Sequence, residues 1–131
     1  MALKVGIVGM HSIGYAHADA YVADPLAELV AVCDVVEQRA KEAAEKYGVK
    51  AYPNLAAMLE SEPDLDIVDV ATGGLENGSW HYEPAMEAME AGKHVLVEKP
   101  LSSDINEARE MVQFAEEMGV YLGCNLNHYF T

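Results

Sequence analysis

Positive charge is scarce in this chain: 8 Lys and Arg stand against 22 Asp and Glu, for a net charge of −14. That balance excludes the basic footprint of a nucleic-acid binder and any attraction to an anionic membrane. The acids read as solvated helix faces, so an anionic ligand must be held by local backbone dipoles. Cysteine is nearly missing as well. Cys33 and Cys124 each close an apolar run, their spacing suits neither zinc nor a disulfide framework, and both read as small buried hydrophobes in a reducing cytoplasm. No apolar run approaches the roughly 20 residues of a membrane span. The N-terminus, interrupted by Lys4, lacks the apolar stretch of a signal peptide. Solenoid repeats and low-complexity tracts are absent too. What remains is 131 residues, 51% apolar, enough to bury the core of one domain.

Strand and helix signals alternate along the whole chain. Strands are expected at residues 3–8, 29–33, 50–52, 67–71, 94–97 and 120–123, and helices at about 13–23, 36–47, 55–59, 84–91 and 104–118. Asn54 is placed to cap the third helix, and Ser103 or Asp104 the fifth. Met58, Met86, Met89, Met111 and Met118 fall where helices face a sheet. On the second helix, Val36, Ala40, Ala43, Ala44 and Tyr47 share one side. Six strands joined by helical crossovers make an α/β fold, a doubly wound parallel six-stranded sheet with helices on both faces. Right-handed crossovers favour the strand order 3-2-1-4-5-6. In that order Cys33 and Cys124 lie on opposite halves of the sheet, too far apart to bridge.

The first turn carries chemistry. Val5-Gly6-Ile7-Val8 breaks into Gly9-Met10-His11-Ser12-Ile13-Gly14, and an acid, Asp34, follows the second apolar run. This is a Rossmann dinucleotide fingerprint, G-x-G-x-x-G, with His11 in place of the middle glycine. The first glycine allows the tight turn, and the third allows the helix to pack closely on the sheet. The N–H groups at the helix start, from Ser12 and Ile13 onward, attract a pyrophosphate. Asp34 can accept both ribose hydroxyls and repels a 2′-phosphate, which favours NAD over NADP. His11 either crowds the pyrophosphate or rotates aside and offers a ring N–H. Ligands on such sheets bind beyond the carboxyl ends of the strands. That draws in Thr72 and Gly73 after strand four, and Glu98, Lys99 and Pro100 after strand five. Trp80 and His81 either border the cofactor pocket or fasten the next helix. His17 reads as helix packing, and no histidine forms a metal cluster with the cysteines.

The stretches AGKHVLVEKPLS, VGIVGMHSIGYAH, DIVDVAT and GCNLNHYF together resemble the N-terminal domain of the Gfo/Idh/MocA oxidoreductases. The family includes glucose–fructose oxidoreductase and inositol dehydrogenase. The likeness covers essentially the whole chain, and its most specific part is Glu98-Lys99-Pro100. It implies an NAD(P)-dependent dehydrogenase acting on a sugar or cyclitol. Lys99 falls at the nicotinamide end as the catalytic candidate, in a turn whose proline is often cis, and Asn127 falls among the cofactor contacts. Residues 1–124 then form the cofactor domain, and residues 125–131 begin a linker. The family's second domain, with its substrate pocket and oligomer interface, does not follow. The resemblance therefore implies a truncated product without turnover of its own, with a sheet edge open to self-association. The chain departs from the family pattern at His11, in Thr72-Gly73-Gly74 where T-P is usual, and in Asn127-His128-Tyr129-Phe130 where N-H-R-F is common. A non-catalytic nucleotide-sensing or interaction module is the alternative reading. An S-adenosylmethionine-dependent methyltransferase shares the glycine turn and the acid, but not the E-K-P turn.

Overall fold

The structure, a computed structural model, describes residues 2–72 and 81–125. Eleven elements alternate: β1 (Leu3–Val8), α1 (Ser12–Ala23), β2 (Ala27–Cys33), α2 (Glu37–Tyr47), β3 (Lys50–Tyr52), α3 (Leu55–Ser61), β4 (Ile67–Val70), α4 (Tyr82–Glu90), β5 (His94–Glu98), α5 (Ile105–Met118) and β6 (Leu122–Asn125). All strand pairs are parallel, and the order is β3-β2-β1-β4-β5-β6, as the crossover rule requires.

Strands covered on both faces read as continuous apolar runs, and here the alternation within each run decides which layer a side chain joins. Val5 and Ile7 of β1 and Val32 of β2 face Ala18 of α1 and Ala43 of α2. Val8, Val68, Val70, Val95 and Val97 face the other way, onto Met58 of α3, Met89 of α4 and Met111 of α5. Burying each such side chain contributes about 1.5–3 kcal/mol relative to leaving it in water. Capping follows the sequence. The Asn54 side chain accepts from Ala57 N at 2.8 Å, and Asp104, rather than Ser103, is the N-cap of α5.

Three expectations need correction. Met118, the last residue of α5, is 38% exposed, because the apolar stripe there runs off the end of the helix. Val36 precedes α2 as its N-cap and is 41% exposed instead of joining the buried face. β6 begins at Leu122, two residues late. Val120 N is still bound to Ala115 O, closing the helix, and Tyr121 N donates to His94 Nδ1 at 3.0 Å. Cys33 is buried, Cys124 is half-buried, and both are free thiols.

Candidate functional site

A crevice of about 750 Å³ opens beyond the carboxyl ends of β1, β2 and β4. Two glycines shape its floor. Gly9 leaves β1 with φ +96°, a conformation that suits glycine, and a Cβ there would lie 2.9 Å from the Thr72 backbone. Gly14 lies in the first turn of α1, where a Cβ would fall 2.1 Å from Gly9 O. His11, between them, has φ −95° and ψ −167°, extended backbone open to any residue. The central glycine is therefore not demanded by the chain path here. The His11 side chain is exposed, lines the crevice and makes no capping bond to α1. Ser12 and Ile13 form the same first turn, whose N–H groups have no partner within the helix.

Asp34 ends the turn after β2 and is only 6% exposed. Its Oδ2 accepts from Met10 N at 2.9 Å and its Oδ1 from Val36 N at 2.8 Å. A carboxylate has about four acceptor sites, so each oxygen keeps capacity for a hydroxyl. Arg39 Nη1 stands 3.8 Å from Asp34 Oδ2. Glu83, Glu87 and Glu107 also line the crevice and add negative charge. Beneath it, burial, and then the charges of Asp34 and Glu87, push the Cys33 thiol up to about 12. A neutral thiol is a packing group, not a nucleophile.

Glu98, Lys99 and Pro100 are not among the residues that line this crevice, and the turn they form after β5 is held by side chains. Lys99 is exposed and the Lys99–Pro100 peptide is cis. Glu98, buried just before it, accepts from Asn125 Nδ2 at 2.9 Å. His81 is not among the described residues that line the crevice. Its ring is fully buried, with Nδ1 2.6 Å from Pro100 O and Nε2 2.9 Å from Thr72 O. His81 thus turns both ring nitrogens to main-chain carbonyls. It ties the chain after β4 to the turn after β5.

A buried polar cluster was not anticipated. Asp69 of β4 is 0% exposed and sits opposite α1. Its Oδ2 meets His17 Nδ1 at 2.8 Å and the Tyr21 hydroxyl at 2.5 Å. Its Oδ1 has no hydrogen-bond partner among the described residues. His17 Nε2 lies 3.6 Å from Glu98 Oε1, so His17 is more than a packing residue. One signal was available: Asp69 interrupts the apolar run Ile67-Val68-Asp69-Val70, and an acid inside a buried strand calls for a partner. Thr72 borders the crevice, whereas Gly73, Trp80 and Asn127 lie outside the described residues. Among the described residues there is no group of three or more ligating side chains that could hold a metal, and no helix long and apolar enough to cross a membrane.

Comparison with known proteins bears on this site. The family model for the oxidoreductase family with an NAD-binding Rossmann fold, GFO_IDH_MocA, matches residues 3–126. The chain is similar to D-glucoside 3-dehydrogenase of Escherichia coli (strain K12). Identity is 36% over 131 residues, covering 98% of this chain and 36% of the relative. Among solved structures, GenD2 from gentamicin A biosynthesis, in complex with NAD, superposes with a TM-score of 0.87 at 32% identity. The match covers 95% of this chain and 34% of GenD2. KijD10, a 3-ketoreductase from Actinomadura kijaniata in complex with NADP and TDP-benzene, has a TM-score of 0.87 at 33% identity. There the match covers 95% of this chain and 37% of KijD10. The chain thus spans about a third of the length of the relatives it matches.

Proposed function

Since the chain belongs to the Gfo/Idh/MocA family of oxidoreductases, we propose that it is the cofactor-holding part of an NAD-dependent dehydrogenase for a sugar- or cyclitol-like hydroxyl. The observation that carries this reading is the fixed Asp34 carboxylate beside the glycine turn. The cradle fits a dinucleotide on its own geometry. The α1 N-terminus offers N–H donors to a diphosphate, the space at Gly9 and Gly14 has no room for a Cβ, and Asp34 retains acceptor sites for the adenosine ribose.

Nicotinamide, when bound, accepts or donates the hydride. The chain's own residues bind and orient. Asp34 grips two sugar hydroxyls, and the first turn of α1 holds the phosphates. Lys99, exposed beyond β5, presents its ammonium toward the reacting hydroxyl and stabilises developing negative charge there. His81 and Glu98 fix the turn that carries it.

Asp34 supports NAD over NADP, since a 2′-phosphate would meet its carboxylate, and Glu83, Glu87 and Glu107 elsewhere in the crevice lining add to the negative field. Arg39 is the opposing influence, and its pairing distance to Asp34 of 3.8 Å tempers it. Two free thiols fit a reducing compartment, the cytoplasm.

Fluorescence titration with NADH and NADPH tests the reading. We expect NADH to bind about tenfold or more tightly than NADPH, a difference of roughly 1.4 kcal/mol, and Asp34→Asn to narrow that gap. Absence of NADH binding at millimolar concentration would overturn the assignment. Equal affinity for the two cofactors would overturn the NAD preference.

A further inference from the structure

His17 occupies the middle of α1, and its side chain is 11% exposed. One end of that helix faces the diphosphate crevice. From the helix flank, His17 reaches two acids on neighbouring strands. Nδ1 is 2.8 Å from Asp69 Oδ2 on β4, and Nε2 is 3.6 Å from Glu98 Oε1 on β5. Glu98 immediately precedes Lys99.

We infer that His17 is a positioning residue: a doubly protonated imidazole clamped between Asp69 and Glu98, fastening the phosphate-facing helix to the turn that bears Lys99. The clamp is a property of this fold; its consequence for cofactor binding rests on the function proposed above.

Charge and proton counting carry the argument. A carboxylate buried as fully as Asp69 is costly without a counter-charge. Its partners among the described residues are His17 and the Tyr21 hydroxyl. Tyr21 cannot be that counter-charge, since a phenol is neutral when protonated, and burial followed by the Asp69 charge keeps it so. A neutral imidazole has one N–H, which the 2.8 Å contact with Asp69 takes, whereas an imidazolium also turns a proton and positive charge toward Glu98, an ion-pair contact at 3.6 Å that is too long for a hydrogen bond. The hydrogen bond to Asp69 raises the His17 pKa above its ordinary 6.5, against the lowering effect of burial, and the charges of Asp69 and Glu98 add to the rise. The groups facing the ring are thus Tyr21 from α1, Asp69 from β4, Glu98 from β5 and the uncharged Asn125 from β6. Asn125 Nδ2, 3.4 Å from Nε2, defines the competing arrangement, in which Nε2 is bare and accepts.

Long-range nitrogen–proton NMR of the 131-residue chain separates the two, without any cofactor. The expected result is a His17 ring protonated on both nitrogens at pH 7, with its titration midpoint above that pH. Asp69→Asn should lower that midpoint by about 1 pH unit or more, and Glu98→Gln by less. If Asp69→Asn does not fold, Glu98→Gln alone must still lower it. A bare Nε2 at pH 7, or a midpoint unmoved in a folded carboxamide variant, overturns the clamp. NADH affinity then reads the consequence. It should weaken by about fivefold or more as pH rises through the His17 midpoint, and become independent of pH in that range in a folded His17→Gln. NADH affinity that ignores His17 titration overturns the link to the site. Failure of NADH to bind at any pH refutes the proposed function and leaves the clamp to the NMR result.

Discussion

The two ends of the candidate site are built from different materials. The end at Gly9 and Gly14 is backbone: its shape comes from missing side chains, and its donors are main-chain N–H groups at the start of α1. The end at Lys99 is made of side chains, with His81 spanning two carbonyls and His17 set between two acids. A backbone site tolerates replacement wherever the chain path is ordinary, and fails at once where it is not. A side-chain site fails gradually, by leaving buried groups without partners.

The sharpest way to break the comparison is Gly14→Ala. A methyl 2.1 Å from Gly9 O cannot be absorbed by a rotamer change, because the obstacle is backbone. Overpacking of this kind costs about 1–3 kcal/mol and at times more, and we expect the upper end, read as a lower urea midpoint together with lost NADH binding. Next comes His81→Phe, which keeps a buried ring but removes the one N–H that a neutral imidazole can give to Thr72 O or Pro100 O. Losing such a buried hydrogen bond costs about 1–3 kcal/mol. Urea denaturation should register the loss, and a stability equal to wild type would refute the fastening role. The smallest effect belongs to His11→Gly. His11 is exposed in extended backbone with no capping bond, so stability should fall by no more than about 1 kcal/mol. NADH affinity should change by less than about threefold, some 0.7 kcal/mol. A large gain in affinity would show that the imidazole crowds the phosphates.

The same contrast explains what was legible in the sequence. Strand order, the glycine turn and Asp34 were readable because each depends on residues close together in the chain: an apolar run, a glycine, an acid at a fixed distance. Asn54 and Asp104 announced their helices for the same reason, since a cap acts on N–H groups two or three residues away. His17 and Asp69 are 52 positions apart, and His17 and Asn125 are 108 apart. Nothing local links them; they meet because α1, packed on β1 and β2, carries a side chain that reaches β4, β5 and β6. His81 could not be decided either, because its two neighbours are main-chain oxygens that any residues would supply. Met118 was misjudged because helical periodicity specifies a face but not where the neighbouring layer ends.

Met10 N and Val36 N grip the two oxygens of Asp34. On the function proposed above, a ribose arriving there would need to immobilise no side chain, since folding has already met that entropic cost. The proposed discrimination at this position would then be as stiff as the two loops that donate those bonds. Softening either loop should blur the choice between sugars with and without a phosphate well before the domain itself comes apart.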